Sequence, residues 1–368
     1  MDRPTVEVYE QGAETWTAQR VPRHLAAMAW LDVERIGRLP VADLGCGPGW
    51  HLEPLRAPAI GLDAAAAMLR VARGRVDAPL VQASVGALPF GAATLGAAVA
   101  SRVHTHLRAV DNPLALADLH RCLVTNAPVL FDLVTDPADP NDSNDPDASG
   151  WGGDVRSDDP FPGRLYSRWT DSGLADLLEG AGFVVESSAE SGTGLREVRA
   201  RRRLTLPDTV GPGMSVLMCG LNPSIHAAEA GVGFVTGSNR FWPGAMAAGL
   251  VSSDRDPYRA FVDDAVGMTD LVKRVTRRAD ELTEAEYRTG LARVERLVAW
   301  LQPRIVCFVG LTGWRVAIDR SAVAGLQPRD LAGRPVYVMP STSGLNAHCQ
   351  LPDVIEHFTE VRRLSARM

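Results

Sequence analysis

The sequence predicts an α/β protein made of two domains. Short apolar strand patterns alternate with helical patterns along the chain, which is typical of parallel sheets covered by helices. The length of 368 residues exceeds the usual size of a single domain. A cluster of proline and glycine at residues 206–213 interrupts the alternation between the two halves. We therefore predict one domain over residues 1–206 and a second over residues 207–368.

The first half alternates strands and helices in a regular order. Strand patterns occupy residues 40–44, 59–62, 79–82, 96–101, 128–133, 183–188 and 197–206, and helical patterns occupy residues 64–73, 113–122 and 172–182. This order predicts a Rossmann-like sheet. Residues 135–160 contain eight aspartates with proline, glycine and serine between them. Such a composition buries little apolar surface, so this segment is predicted to be a mobile insertion.

The second half has its own alternation. Strand patterns at residues 214–220, 304–310 and 334–340 flank a region, residues 240–300, that is predicted to be helical. The pattern predicts that this half is also α/β; a family resemblance described below implies an α/β/α sandwich.

Charge is distributed unevenly between the halves. The chain carries a net charge of −6. Residues 205–368 contain 18 Lys and Arg against 17 Asp and Glu, whereas residues 1–204 contain 20 against 27. The near-neutral half is the better candidate for binding a phosphate backbone, through a local basic surface. Its candidates are Lys273, Arg274, Arg277 and Arg278, although a run of charge is more often a solvated face.

Cysteine usage and hydropathy exclude several classes of protein. The five cysteines are scattered and form no Cys-x-x-Cys pair, so neither a zinc nor an iron–sulfur site is expected. No stretch of about eighteen apolar residues is present, so no membrane span is expected. A cytoplasmic protein with reduced thiols is the expectation.

A glycine-rich turn follows the first strand pattern. It reads Asp43-Leu44-Gly45-Cys46-Gly47-Pro48-Gly49, and Asp63 ends the next strand. Glycines let the backbone approach a ligand, and the amides of a helix N-terminus face it. The arrangement resembles class I S-adenosylmethionine-dependent methyltransferases. The resemblance implies S-adenosylmethionine as cofactor, bound by Asp43, Gly45, Gly47, Gly49 and Asp63, with Ser84 beside the adenine.

The methyl acceptor is constrained mainly by exclusion. Methylation of a cytosine carbon commonly uses a Pro-Cys pair, and methylation of a base amino group commonly uses an Asn-Pro-Pro-aromatic or Asp-Pro-Pro-aromatic loop. The sequence contains neither, so DNA methylation is not supported. His104 and His106 are candidates for contact with the acceptor, against the more common role of a solvent-facing or capping histidine.

Two further motifs stand in the second half. The first is Gly220-Leu221-Asn222-Pro223-Ser224, followed by Phe234 and by Asn239-Arg240-Phe241-Trp242; the second is Pro340-Ser341-Thr342-Ser343-Gly344-Leu345-Asn346. Together they resemble the mismatch-specific uracil-DNA and thymine-DNA glycosylases. The resemblance implies that Asn222 positions the hydrolytic water, because a carboxamide can orient water but cannot remove its proton. It also implies that Phe234 stacks on the extruded base, with Ser224 at the base.

Two roles remain in this half. Asn239 either caps the following helix or faces the base pocket. A flipped-out base leaves a gap in the duplex, and the resemblance implies that Ser343, Gly344, Leu345 and Asn346 form the loop that fills it, with Leu345 as the apolar wedge.

The sequence therefore predicts a base-excision repair enzyme that hydrolyses the glycosidic bond of uracil opposite guanine, with thymine and etheno-cytosine as further candidate substrates. Its expected partner is double-stranded DNA with a mismatched or damaged pyrimidine, and no cofactor is expected for this reaction. Two alternatives stay open. The methyltransferase half acts on a small molecule or RNA beside a vestigial glycosylase half, or the second half binds mismatches without catalysis.

Overall fold

The computed structural model describes residues 1–135, 151–192 and 194–367. Grouped by their mutual contacts, the residues form two compact units. The first consists of Met1–Glu179 with Phe183–Arg203, and the second consists of Gly180–Gly182 with Leu204–Met368. Both are mixed α/β units, so the predicted fold class is confirmed.

The N-terminal unit is built on one twisted sheet. Its elements are α1 (Arg3–Gln19), α2 (Leu25–Glu34), β1 (Val41–Leu44), β2 (Ala59–Asp63), α3 (Ala66–Arg73), β3 (Leu80–Gln82), β4 (Ala97–Ser101), α4 (Asn112–Cys122), β5 (Pro128–Thr135), β6 (Gly152–Arg156), β7 (Leu165–Trp169), α5 (Asp171–Gly180), β8 (Phe183–Gly192) and β9 (Leu195–Arg202). Strands β3, β2, β1, β4 and β5 are neighbours in that order and run parallel. Strand β9 joins β5 and β8 joins β9, both antiparallel.

The predicted mobile insertion lies largely outside the described residues, which resume at residue 151. For residues 152–156 the prediction is wrong, because they form β6 and pair antiparallel with β7. Trp151 is buried at the start of this hairpin, and its apolar surface stabilises a segment whose average composition is polar. Helices α1 and α2 were not predicted.

The C-terminal unit has a smaller sheet. Its elements are β10 (Val216–Gly220), α6 (Ile225–Ala230), α7 (Phe241–Ala247), α8 (Pro257–Val262), β11 (Val266–Asp270), α9 (Glu284–Leu301), β12 (Ile305–Val309), α10 (Leu311–Ala317), β13 (Gly325–Leu326), β14 (Val336–Met339) and α11 (Leu351–Ser365). The strand order is β11-β10-β12-β14-β13, and the first four are parallel. The carboxyl ends of β10, β11 and β14 therefore lie on one edge of the sheet.

The expectation of continuous helix over residues 240–300 is wrong at β11. Val266–Asp270 is a fully buried strand that pairs residue by residue with β10. A short strand that is buried on both faces carries no polar alternation, so its periodicity does not distinguish it from a buried helix.

Candidate functional site

Asn222 lies just past the carboxyl end of β10, the edge where α/β proteins collect their sites. Its Nδ2 donates hydrogen bonds to the carbonyl oxygen of Arg274 at 2.9 Å and to Oγ1 of Thr276 at 2.8 Å. These bonds use both amide hydrogens and fix the plane of the carboxamide. Oδ1 is then the atom of this side chain that can accept a hydrogen bond from water.

Phe234 lies beside the end of β10. A Cβ on Gly220 would lie 3.4 Å from Cζ of Phe234. The ring stacks on Phe241, with centroids 4.1 Å apart and planes 7° from parallel. One face of Phe234 is therefore part of the core, and a base could stack only on the other face.

The loop that follows β14 is attached to the segment that follows Phe234. Arg240 donates from Nη1 to the carbonyl oxygen of Ser343 at 2.9 Å, and its backbone amide donates to the carbonyl oxygen of Thr342 at 2.9 Å. Gly344 passes so close to Ser238 that a Cβ there would lie 2.5 Å from the Ser238 Oγ. Leu345 at the tip is 96% exposed. The sequence did not assign this anchoring role to Arg240.

In the N-terminal unit, a cavity of about 1050 Å³, its open mouth included, lies at the carboxyl edge of the sheet. Gly45, Gly47 and Asp63 line it. Gly47 has φ of +51° and a Cβ there would meet nothing within 4 Å, so the turn faces open space. Asp63 accepts hydrogen bonds from the amides of Gly47 at 2.9 Å and Ala65 at 2.8 Å, and burial raises its pKa to about 6.

The other predicted ligand-binding residues of this unit do not line the cavity. Gly49 packs toward Ala72, and the hydroxyl of Ser84 accepts a hydrogen bond from the amide of Gly86 at 3.1 Å. Asp43 is fully buried, and neither carboxylate oxygen has a hydrogen-bond partner among the described residues. His51 Nδ1 lies 3.5 Å from Asp43 Oδ1. Burial lowers the pKa of His51, but the Asp43 carboxylate outweighs it and the pKa is raised.

Sequence comparison matches each unit to a family. Residues 207–363 match the family model of the uracil DNA glycosylase superfamily, and residues 41–126 match that of a methyltransferase domain. The chain combines these two domains. Both resemblances seen in the sequence are confirmed at the level of the glycosylase superfamily and of the methyltransferase domain.

Several solved structures similar to part of this chain are described as methyltransferases. A putative S-adenosylmethionine-dependent methyltransferase from Listeria monocytogenes is 16% identical, with a TM-score of 0.38, and the match covers 48% of this chain and 99% of that one. The 1,6-didemethyltoxoflavin-N1-methyltransferase of Burkholderia thailandensis is 21% identical, with a TM-score of 0.41, and the match covers 54% of this chain and 85% of that one.

In the glycosylase domain, Asp270 is a residue that the sequence analysis did not assign. It ends β11, in register with Gly220 on β10. A Cβ on Gly220 would collide with Oδ1 of Asp270, so the glycine makes room for the carboxylate. Burial raises the pKa of Asp270 to about 6. An acidic residue at the carboxyl end of an apolar strand, the signal that identified Asp63, could have found it.

Lys273 is not a DNA contact, which corrects the prediction. It is 2% exposed; its Nζ lies 2.5 Å from Oδ1 of Asp208 and donates to the carbonyl oxygen of Leu206 at 3.0 Å. Lys273 lies in a run of charged residues, which suggested an exposed position, but its side chain is buried. Arg274 is exposed and forms an ion pair with Glu286 at 2.5 Å, so its role as a DNA contact stays a prediction.

Three predicted polar residues of the glycosylase domain support loop structure. Ser224 is the N-cap of α6 and accepts a hydrogen bond from the amide of Ala227 at 3.2 Å. Asn239 Oδ1 accepts from the amide of Phe241 at 3.0 Å, although the N-cap residue of α7 is Arg240. Asn346 Nδ2 donates to the carbonyl oxygen of Ser341 at 2.9 Å. Contact of these residues with a base or with DNA stays a prediction.

In the methyltransferase domain, the expectation of solvent-facing histidines is wrong. His104 and His106 are both buried, and burial lowers the pKa of each to about 4. His106 lines the cavity and lies 2.9 Å from the hydroxyl of Tyr9. Among the described residues of the whole chain, no helix is both long and apolar enough to cross a membrane.

Proposed function

We propose that the C-terminal domain removes uracil opposite guanine from double-stranded DNA, with thymine and etheno-cytosine as further candidate substrates. The observation that carries this proposal is the continuity of contacts at one sheet edge. Gly220 lies so near Phe234 that a Cβ on it would be 3.4 Å from the ring, Phe234 stacks on Phe241, and Arg240 holds the loop that bears Leu345. A water-orienting amide, an aromatic ring and an exposed apolar tip belong to one assembly.

The chemistry follows from these groups. Hydrolysis breaks the bond between the anomeric carbon and the ring nitrogen, so positive charge develops on the sugar and negative charge on the base. Asn222 Oδ1 accepts a hydrogen bond from the attacking water and orients it. A carboxamide cannot take the proton of that water. We assign Asp270 to this need, because it ends the strand beside β10 in register with Gly220, two residues before Asn222, and its carboxylate is ionised above pH about 6. An anion there also stabilises the positive sugar.

The test is incubation of the full chain with a duplex that holds one G·U pair, followed by alkaline cleavage. Strand scission at the uracil supports the proposal. If the folded chain leaves no abasic site with G·U, G·T or etheno-cytosine, the proposal fails. Tight binding of G·T without scission would then favour the mismatch-binding alternative.

Asp270→Asn is expected to raise stability while lowering activity. The folded-state pKa of Asp270, about 6, lies above the ordinary value of 3.8. Ionisation therefore opposes folding above pH 6, by roughly 3 kcal/mol, and this cost shrinks progressively as the pH falls from 6 to 3.8. At pH 8 the variant should unfold at a higher temperature than wild type. The rate of excision by wild type should decrease below pH 6. The same decrease in the Asp270→Asn variant would contradict the role of Asp270.

Leu345→Gly is expected to lower excision from duplex DNA by about tenfold, because an unfilled gap raises the cost of extruding the base by about 1.4 kcal/mol. Excision from single-stranded uracil DNA should not change, since no gap forms there. Thermal unfolding should be unaffected because the side chain is 96% exposed. Val323→Ala, at a residue of the same unit that is 70% exposed, is the control. Equal losses on both substrates would contradict the wedge role.

A second function is supported by the N-terminal cavity. We propose that this domain binds S-adenosylmethionine, which supplies a methyl group when bound. The open space over Gly47 and the carboxylate of Asp63 at the cavity wall fit a ligand with ribose hydroxyls. Calorimetric titration of the full chain with S-adenosylhomocysteine tests the binding, and its absence would contradict it.

A further inference from the structure

The methyltransferase cavity has an aromatic wall besides its glycine turn. Tyr9 and Trp16 on α1, together with Trp50, His106 and Tyr166, line it. Trp16 stacks on Trp50 with centroids 5.5 Å apart, and His106 meets Tyr166 edge to face at 4.9 Å. Aromatic rings packed this closely offer a flat apolar surface to a planar ligand.

This wall is held in place by contacts between α1 and the β6–β7 hairpin. Asp2 accepts a bidentate pair of hydrogen bonds from Arg156, at 2.6 and 2.9 Å. The Oγ1 of Thr5 accepts a hydrogen bond from the amide of Leu165 at 2.8 Å. Because these bonds fix the start of α1, the rings of Tyr9 and Trp16 are positioned before any ligand arrives.

The same cavity has one lining arginine that no carboxylate of the described residues neutralises. Four arginines line it, against the two aspartates Asp63 and Asp159, although residues 1–204 as a whole carry an excess of acidic residues. Asp159 pairs with Arg164 at 2.5 Å and with Arg20 at 3.4 Å, and Arg102 lies 3.5 Å from Asp132. The other arginine, Arg23, is exposed and forms no ion pair with the described residues. Beside the cofactor, the guanidinium of Arg23 therefore favours an anionic acceptor over a cationic one.

The titratable side chains that line the cavity are poorly placed to remove a proton from a ligand at neutral pH. Burial raises the pKa of Tyr9 to about 12, so it stays protonated. His106 Nδ1 lies 2.6 Å from the carbonyl oxygen of Leu165, which can only accept, so Nε2 is the atom that accepts from the Tyr9 hydroxyl. The carboxylates of Asp63 and Asp159 already accept backbone amides and an arginine. His51 also lines the cavity, but both of its ring nitrogens face acceptors, Nε2 the carbonyl oxygen of Arg23 at 3.1 Å and Nδ1 the carboxylate of Asp43 at 3.5 Å. A bound acceptor must therefore bring a nucleophile that is already deprotonated.

We infer that the methyl acceptor of this domain is a small planar aromatic anion, whose ring packs on the Tyr9–Trp16 wall and whose charge is met by Arg23. The inference rests on the proposed methyltransferase function. Transfer of a methyl group from a sulfonium to an anionic oxygen forms one C–O bond and breaks one C–S bond, with the electron pair of the broken bond left on sulfur. No proton is released, so no base is required.

The test uses three probes that share a ring system: 2-naphthoate, 2-naphthylmethanol and 2-naphthylmethylamine. Binding to the full chain, saturated with S-adenosylhomocysteine, is measured by calorimetry. We expect 2-naphthoate to bind at least tenfold more tightly than the amine. Arg23→Gln should weaken 2-naphthoate about tenfold, equivalent to about 1.4 kcal/mol, and leave the neutral alcohol unchanged. Arg73→Gln, at an exposed arginine outside the cavity lining, is the control.

Every other outcome contradicts either the methyltransferase proposal or the inference about the acceptor. If S-adenosylhomocysteine does not bind, the methyltransferase proposal fails and this inference fails with it. If S-adenosylhomocysteine binds but 2-naphthoate does not, or the amine binds as tightly, only the acceptor inference is wrong. Unchanged 2-naphthoate affinity in Arg23→Gln, with normal S-adenosylhomocysteine affinity as evidence of folding, removes Arg23 from the site and overturns the inference as stated.

Discussion

Asn222→Ala is expected to lower single-turnover excision of uracil from a G·U duplex by about 100-fold or more, because misplacement of a reacting group by about 1 Å already costs that much. The variant loses the acceptor that orients the water. Binding of the mismatched duplex should change little, since the predicted stacking ring and wedge loop are intact. A rate equal to wild type would contradict the assignment of Asn222 and support the view that the glycosylase half is vestigial.

Thr276→Val provides a graded companion to that variant. Its hydroxyl accepts one of the two short hydrogen bonds that hold the Asn222 amide. Loss of one holding bond loosens the carboxamide without removing it, so a smaller decrease, about tenfold, is expected. Thermal unfolding and duplex binding of both variants should be measured beside the rate, because a loss of fold would lower all three.

Lys273→Met is expected to lower the stability of the C-terminal domain by about 3–5 kcal/mol, the cost of removing one partner from a buried ion pair. The variant leaves Asp208 with Arg293, whose Nη1 lies 2.6 Å from Oδ2 of Asp208. Calorimetry of the full chain should show a transition lowered by about 6 °C or more. Arg278→Gln, which breaks an exposed pair with Asp280, should leave it in place.

The pH dependence of this loss gives an independent check. Burial raises the pKa of Asp208, but Arg293 and Lys273 outweigh it and the folded-state pKa lies below the ordinary value of 3.8. The stabilisation is therefore present above pH 3.8 and is lost as the pH falls through the folded-state pKa. The difference between wild type and Lys273→Met should shrink in acid. A variant with wild-type stability but weaker DNA binding would restore Lys273 as a surface contact.

The sequence determined the two α/β domains, the glycine turn and the two glycosylase-like motifs, because each depends on residues that are close along the chain. Strand alternation and turn glycines are local signals, so they predicted β1, β2 and β10 within a few residues. Local signals failed where burial on both faces removed the pattern, as in β11, and where one buried tryptophan outweighed a polar composition, as in β6.

Only the tertiary structure decided which side chains meet. Lys273 and Arg274 are neighbours in sequence, but Lys273 is buried against Asp208 and Arg274 is exposed beside Glu286. Burial raises the pKa of Asp270, and that burial comes from a strand whose register partner, Gly220, lies fifty residues earlier in the chain. Burial and charge proximity are properties of the folded packing, and no residue type or spacing in the sequence encodes them directly.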